Sequence, residues 1–465
     1  MKQRFLFIGI LLFFISSDFI ANAQNDAQYN NTQFGLKGML LSGSLVAGDD
    51  DASMIYYNPA AIHYEKQQAL DISLLVPNIE RIRLKNAFGV RSDEKNIDFR
   101  LLPNLVSFKL SFINNPKIGM AATLLRKNDF NNTLRFNTSA PLEVDVMESY
   151  FEYNYQRSET WLGLGISYEV NPKFHIGFSQ FTTIKSLSYE QLFYQTIKVN
   201  PESNEPKSIT EDNLQANANA FLGLISKIGL SYKSERLNLG ITLTTPTYAY
   251  LIKSGEYRLK TIYKAPEDDA LNELSNTATT NNVNLKTPFS IAAGLIFKIK
   301  EVNTINFSSE FFAGIPAYSM IKFNEIDHEG LETNARPLIN FALGWQIRLN
   351  QQFSYLGGFR TDFNFSRDIK NANYQLQTSD WNIYHFSSGI NFLYKNSKFT
   401  VGLDYGFSFE KIDPYTNLST FNEPNIRVNA NNARINYQSY TILLTYGFLI
   451  DEIKDKIDKN KQARN

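Results

Sequence analysis

The feature that most constrains this chain is a two-residue alternation of apolar and polar side chains along most of its length. Between Lys398 and Glu410 every second residue is Phe, Val, Leu or Tyr, and the residues between them are small or polar. The same pattern occurs at 160–170 and 338–349. Successive side chains of a β-strand point to opposite faces, so each segment predicts a strand with one apolar face. No stretch beyond residue 23 approaches 18 apolar residues, so the pattern predicts no membrane-spanning helix.

The connections between these segments alternate in length. Short turns such as Asn171-Pro172 and Asn350-Gln351 alternate with long polar connections, for example at 190–219 and 412–434. A soluble antiparallel sandwich also alternates apolar and polar residues, but it has no reason to sort its loops by length. A transmembrane β-barrel does, because its periplasmic turns are short and its outer loops are long. We therefore predict an all-β fold, a transmembrane antiparallel β-barrel of about 14 strands.

Fourteen segments fit this pattern, and single-chain bacterial barrels have an even number of strands. They are 69–89, 104–113, 117–127, 145–170, 173–189, 221–233, 236–262, 286–299, 302–315, 337–349, 353–366, 382–395, 398–411 and 435–449. The segment 145–170 is long enough to be two strands, which would make the number odd.

Composition narrows the class further. Aromatic residues make up 14% of the chain and charged residues 20%, a combination that fits neither a disordered chain nor a helical membrane protein. Lys+Arg and Asp+Glu both number 46, so there is no basic excess and we expect no nucleic-acid partner. The chain has no cysteine and no Gly-x-Ser-x-Gly motif, and we expect neither an enzyme nor a bound cofactor.

The two ends of the chain do not follow the strand pattern. Residues 1–23 have a basic start, an apolar run of 11 residues and a small-x-small site, and we interpret them as a signal peptide. Residues 24–64 are rich in Gly, Ser and Ala and do not alternate, which predicts an N-terminal hatch that plugs the lumen. The barrel is then 65–450, and 451–465 is a charged periplasmic tail.

One stretch resembles a known family. Gly48 to Ile62 reads GDDDASMIYYNPAAI, which is similar to the hatch-to-barrel junction of the FadL family, the long-chain fatty acid transporters of bacterial outer membranes. Ala61 stands where that family has glycine. Leu102-Pro103-Asn104 and the stretch from Lys286 to Ser290 are weaker likenesses. The resemblance implies that Asn58, Pro59 and Ala60 form the junction between the hatch and the first strand.

The resemblance also implies a function. It predicts a monomer in the cell outer membrane, in contact with lipid and lipopolysaccharide, that passively imports hydrophobic small molecules such as fatty acids or hydrocarbons through the hatch and a lateral opening. Some barrels of this fold instead act as shuttle components of type IX secretion, and that role is the alternative. A purely structural or adhesin-like barrel is a third possibility.

Two cations are candidate ligand-binding residues. If the apolar strand faces point to lipid, Lys109 and Arg360 point into the lumen near the middles of their predicted strands. A cation beside an apolar pocket can make a charge-assisted hydrogen bond to a ligand carboxylate. The alternative is that these lumen charges pair with one another.

The sequence predicts no metal site. The acidic run Asp49 to Asp51 lacks the later acidic residue of an EF-hand loop. The four histidines form no closely spaced pair of the kind typical of zinc sites. These are His63, His175, His328 and His385.

Overall fold

A computed structural model describes most of the chain. The described residues are 27–64, 69–85, 93–110, 115–141, 146–198, 208–248, 250–264, 272–299, 303–322, 330–367, 374–375, 381–411 and 434–449. The predicted signal peptide, the predicted charged tail and His328 lie outside these residues.

Two short helices precede nineteen strands. The helices are α1 (Met54–Tyr57) and a 3-10 helix (Pro59–Tyr64). The strands are β1 (Ala69–Lys85), β2 (Asp93–Leu110), β3 (Ile118–Pro141), β4 (Val146–Asn171), β5 (Phe174–Lys198), β6 (Ser208–Lys233), β7 (Leu237–Thr244), β8 (Ile252–Lys264), β9 (Asn272–Thr280), β10 (Ser290–Ile299), β11 (Asn303–Phe312), β12 (Ile315–Lys322), β13 (Gly330–Ala335), β14 (Leu338–Arg348), β15 (Phe353–Asp362), β16 (Tyr374–Gln375), β17 (Ile383–Tyr394), β18 (Ser397–Lys411) and β19 (Arg434–Leu449).

Fourteen of these strands close into an antiparallel barrel. β1 to β7 pair in chain order, and β7 then pairs with β10. The wall continues through β11, β14, β15, β17, β18 and β19, and β19 pairs with β1 to close the ring. The predicted all-β, 14-stranded barrel is confirmed. The segment predicted at 145–170 is a single strand, β4.

Several predicted boundaries were wrong. The predicted strand 236–262 is two strands, because the wall strand β7 ends at Thr244 and β8 turns back onto the far part of β6. The long connection predicted at 190–219 is largely strand, and so are 91–102 and 128–144, which lie between predicted strands. Polar residues interrupt the apolar face of these segments, so the apolar alternation that indicates a half-buried strand is short or incomplete there.

The outer face of the wall is apolar. In part of β4, β5 and β7, every second side chain is apolar and exposed, as at Leu164, Ile176 and Ile241. The residues between them are mostly buried. A strand crosses a bilayer with about 9–11 residues, whereas β4 has 26. The strands therefore extend well beyond their apolar band. No helix in the described part of the chain is long and apolar enough to cross a membrane.

Residues 27–64 lie inside the barrel, and we call this segment the hatch. Its apolar side chains pack in one buried cluster with wall residues from opposite sides of the barrel. On the hatch these are Phe34, Met39, Leu40, Leu41, Leu45, Met54 and Ile55, and on the wall Leu105, Leu125, Trp161, Phe181, Ile225, Leu356 and Leu443. Buried apolar contact on all sides holds the hatch in the lumen.

Candidate functional site in the barrel lumen

The Asn-Pro-Ala motif joins the hatch to the wall. Asn58 is fully buried, and its side-chain amide donates to the carbonyls of Val46 (2.7 Å) and Leu230 (3.0 Å). Its Oδ1 accepts from the backbone N–H of Ala60 at 3.1 Å. A single buried amide thus holds the hatch turn at Val46, the start of the 3-10 helix and β6 together.

Two wall glycines allow this close approach. A Cβ on Gly177 would lie 2.2 Å from the carbonyl carbon of Pro59, and a Cβ on Gly229 would lie 2.1 Å from Oδ1 of Asn58. The motif therefore contacts the wall at β5 and β6. It does not lead directly into β1, because the 3-10 helix follows it and β1 begins only at Ala69.

Gly177→Ala should displace the hatch. The added methyl meets rigid backbone, so either the hatch or the wall must shift. We expect a higher ion conductance in planar bilayers and faster proteolysis of the hatch than in the wild type. Ile176→Ala is the matched control, because Ile176 is the exposed neighbour on the outer face. Equal conductance in the two variants would show that the hatch tolerates the methyl group.

Arg360 lies in a buried network between the hatch and the wall. Its guanidinium donates to both carboxylate oxygens of Asp404, at 2.8 and 3.1 Å, and to the hatch carbonyls of Asn30 and Asn31, both at 3.0 Å. His385 lies within 2.9 Å of the same guanidinium. Arg360 is two residues from the end of β15, not near its middle. Its charge is therefore already matched by the protein, beside a cavity of about 70 Å³.

Lys109 is partly buried at the second-to-last position of β2 and so is not mid-strand either. It shares a strand face with Ser107, whose hydroxyl donates to the hatch carbonyl of Ala52 at 2.9 Å. This face points into the lumen. Lys109 lines neither the cavity beside Arg360 nor the larger one described next. Ligand contact by Lys109 or Arg360 stays a prediction.

A larger cavity lies between the hatch and the wall, and we call it the lumen pocket. Its volume is about 110 Å³. Aromatic side chains supply much of its surface, namely Tyr29 and Tyr56 of the hatch and Tyr155, Trp161, Phe312, Tyr318 and Phe365 of the wall and its extensions. Burial raises the pKa of Tyr29 and of Tyr56 well above the ordinary value, so both phenols stay neutral. An aromatic, largely buried cavity suits an apolar ligand.

The charged side chains of the lumen pocket are mostly cationic. They comprise Lys127, Arg157, Lys185, Lys227 and Lys286 against Glu159 and Glu310, five cations against two carboxylates. Glu159 is buried and matched on three sides. Trp161 Nε1 donates to it at 2.7 Å, Lys185 Nζ lies at 3.3 Å and Arg157 at 3.5 Å. The remaining positive charge favours an anionic group in the pocket.

Lys227 carries the positive charge that is least matched. Its ammonium lies 4.5 Å from the ring centre of Tyr56, and only 6% of the residue is exposed. Among the described residues this ammonium has neither a hydrogen-bond acceptor nor an ion-pair partner. Lys127, in contrast, donates to the carbonyl of Tyr29 at 2.7 Å. Glu310 lines the same cavities but makes no direct ion pair with Lys227. A buried cation without a carboxylate in direct contact is costly unless a ligand supplies one.

Sequence reasoning missed Lys227, although a signal for it exists. In β6 the lumen-facing positions are Gly223, Ile225, Lys227, Gly229 and Ser231, so Lys227 is a lone cation among small and apolar residues. A single charge in such a row is a better indication of a ligand contact than a charge with several charged neighbours.

The strand pairing of the barrel wall is interrupted beside the lumen pocket. β6 pairs with β8 over Ile209–Phe221 and with β7 over Lys227–Lys233. Between these stretches the segment that follows β7 takes over, with the N–H of Thr245 donating to the Ser226 carbonyl at 2.9 Å and the N–H of Tyr248 to the Leu224 carbonyl at 3.2 Å. The pairing of β7 with β10 ends at Thr244 and Ser290. β9 pairs with β8 on one edge, and its other edge pairs with no strand among the described residues. We call this interruption the wall gap.

Two chain segments meet across the wall gap. The hydroxyls of Thr247 and Thr287 are 2.6 Å apart, and the backbone N–H of Thr247 donates to Thr287 at 2.9 Å. The rim also carries exposed apolar side chains at Leu222, Tyr248 and Phe289. Because Thr245 and Thr287 line the lumen pocket, the pocket extends to this gap.

The fold and the pocket define an outer-membrane-type β-barrel that is plugged from within. No family model and no curated protein sequence matches the chain. Solved structures do match. The Pseudomonas putida toluene transporter TodX has a TM-score of 0.58 at 12% identity, over 90% of this chain and 98% of that one. A Pseudomonas aeruginosa FadL homologue has a TM-score of 0.58 at 11% identity, over 92% and 98%. The Ralstonia pickettii toluene transporter TbuX has a TM-score of 0.57 at 12% identity, over 90% and 99%. The predicted FadL-type fold is confirmed.

Proposed function

We propose that this protein lets hydrophobic small molecules cross the outer membrane, and that it accepts molecules with a carboxylate, such as fatty acids. The observation that carries the proposal is the position of the lumen pocket, which lies between the hatch and the wall and extends to the wall gap. The solved structures of this fold include two proteins described as toluene transporters. Their described transport of a hydrocarbon supports the same class of ligand here.

Lys227 is the residue that would hold the carboxylate. Its ammonium lies in the pocket beside Tyr56 and lacks an acceptor among the described residues. A charge-assisted hydrogen bond from a buried ammonium is shorter and stronger than a neutral one. The neighbouring aromatic side chains would then contact the apolar part of the ligand.

The size of the pocket limits how much of the ligand it encloses. Its volume of about 110 Å³ is of the order of a cavity that holds one benzene ring, roughly 150 Å³. A single-ring compound or a short acyl segment fits this space. A long acyl chain does not, so its tail must extend through the wall gap toward lipid. The exposed apolar rim of the gap suits such a tail.

The ligand route that follows from this geometry runs laterally, through the barrel wall. The hatch fills the lumen below the pocket and is bound to the wall on many sides. A hydrophobic molecule gains little from an aqueous path along the barrel axis, whereas a path through the wall gap keeps it in apolar surroundings. We therefore propose that the hatch stays in place and that the ligand leaves through the wall gap.

Lys227→Met should weaken binding of a fatty acid much more than binding of an alkane of equal length. Met keeps the apolar contact with Tyr56 and removes the charge. A hydrogen bond to a charged group contributes about 1.5–3 kcal/mol, roughly a 10- to 150-fold change in affinity. Affinities for both ligands are measured on the purified protein in detergent.

Lys286→Met is the matched control. Lys286 also lines the pocket, but it is exposed and its ammonium lies 4.4 Å from the ring centre of Tyr318. We expect little change in either affinity for this variant. If Lys227→Met weakens the fatty acid and the alkane by the same factor, Lys227 does not hold a carboxylate.

A further inference from the structure

Two histidines that are far apart in the sequence lie together at the short-turn end of the barrel. His63 belongs to the 3-10 helix of the hatch, and His175 is the second residue of β5. Glu169, near the end of β4, lies between them. The distance from Glu169 Oε2 to His63 Nε2 is 2.8 Å, and to His175 Nε2 it is 3.8 Å. The two histidines are therefore neighbours in the fold although they are far apart in the sequence.

We propose that His63, Glu169 and His175 form a zinc site that joins the hatch to the barrel wall. Two imidazoles and one carboxylate are a ligand set that zinc uses, with the fourth position open to water. The ligand atoms of the three side chains all lie within 4.8 Å of one another. Zinc bonds of about 2.0–2.1 Å in a tetrahedron place ligand atoms about 3.3 Å apart. The two measured separations lie on either side of that value, so small side-chain rotations complete the geometry.

The state of His175 is a second, independent observation. The residue is 3% exposed, and its Nδ1 has no hydrogen-bond partner among the described residues. Its Nε2 lies beyond hydrogen-bond distance of Glu169. A buried imidazole whose Nδ1 has no partner and whose Nε2 has only a distant carboxylate is poorly compensated for the hydration that it loses. A metal bound at Nε2 would provide one strong partner.

The surroundings leave the site accessible. His63 and Glu169 keep 16% and 24% of their side chains exposed. Lys233 is a nearby cation, and its ammonium lies 4.2 Å from the ring centre of Tyr64, which itself packs on His175. The charge of Lys233 opposes that of a metal ion, but its ammonium lies against the Tyr64 ring. The chain has no cysteine, so no thiolate competes for zinc.

Bound zinc would connect three elements. His63 contributes from the hatch, whereas Glu169 and His175 contribute from neighbouring wall strands. Since a ligand that binds only the folded state stabilises it, zinc should stabilise the seated hatch. This inference does not depend on the transport function proposed above.

The test is a zinc titration of the full chain in detergent after treatment with a chelator. We expect saturable binding of one zinc per chain by calorimetry, and a zinc-dependent rise in the temperature at which the folded barrel band disappears on a gel. Glu169→Gln should weaken zinc binding by at least about tenfold, the smallest loss typical of changes at a metal site. His175→Ala should do the same.

His328→Ala is the control, because it removes a histidine that is not one of the three proposed ligands. It should bind zinc as the wild type does. The folded barrel band on a gel shows that each variant is assembled, and Glu169→Gln replaces a partly exposed residue in case His175→Ala does not fold. Absence of saturable binding in the wild type, or equal binding in the wild type and Glu169→Gln, would overturn the proposal.

Discussion

A disulfide that joins Thr247→Cys to Thr287→Cys should stop uptake of a radiolabelled long-chain fatty acid, and a reductant should restore it. The two hydroxyls are 2.6 Å apart across the wall gap, so sulfur atoms placed there lie close to the bonding separation of about 2.05 Å. The chain has no other cysteine to mispair. Uptake is measured in cells of a Gram-negative host without its own fatty acid transporter, before and after reduction.

The physical reason is that the cross-link closes the sideways route. Thr287 lines the lumen pocket, and Thr247 lies on the segment that follows β7. With these two residues linked, the segments on either side of the wall gap cannot separate. A ligand whose tail must pass between them then has no apolar path out. We expect uptake to fall to the level of cells without the protein.

A second cross-link tests the hatch in the same way. The hydroxyls of Ser42 in the hatch and Ser387 in β17 are also 2.6 Å apart. If the hatch stays seated, a disulfide between Ser42→Cys and Ser387→Cys leaves uptake unchanged. A wall-only pair, Thr400→Cys with Thr445→Cys on β18 and β19, controls for oxidation itself. Loss of uptake with the hatch cross-link alone would contradict the sideways route and favour movement of the hatch.

The strand pattern was predictable where the wall has two different faces. In β7 the burial of successive residues alternates, because one side meets the lumen and the other is apolar and exposed. Such segments appear in the sequence with a period of two. In the far part of β3, at 128–141, Phe130, Leu134 and Phe136 share one face with Asn128, Asn132 and Thr138, so its apolar face is interrupted. Its backbone pairing with β4 continues without that pattern.

The site was less predictable, because its residues meet only through strand register. Arg360, His385 and Asp404 lie on successive barrel strands, and the pairings Arg360 with His385 and His385 with Gly406 bring them to one height. The short turn between β17 and β18 sets the register of His385 with Asp404, but the long connection between β15 and β17 leaves the register of Arg360 open in the sequence. The contact between His63 and His175 depends instead on where the hatch lies inside the barrel. Sequence periodicity carries no information on that placement.

Arg360→Met should strongly destabilise the folded barrel and loosen the hatch. The variant leaves the carboxylate of Asp404 buried and without its bidentate partner, and it leaves two hatch carbonyls without donors. Removing one member of a buried ion pair typically costs about 3–5 kcal/mol. We expect a corresponding fall in the free energy of unfolding in urea, followed by tryptophan fluorescence.

The double variant Arg360→Met with Asp404→Asn separates this role from ligand binding. It removes both charges, so part of the lost stability should return, because no unpaired ion remains buried. If Arg360 acts through the hatch, the single variant reduces binding of a fatty acid and of an alkane alike. If instead only the fatty acid binds more weakly and the free energy of unfolding is unchanged, Arg360 holds a ligand carboxylate. That is the role predicted for it from the sequence. The existing bonds of Arg360 to Asp404, Asn30 and Asn31 favour the first outcome.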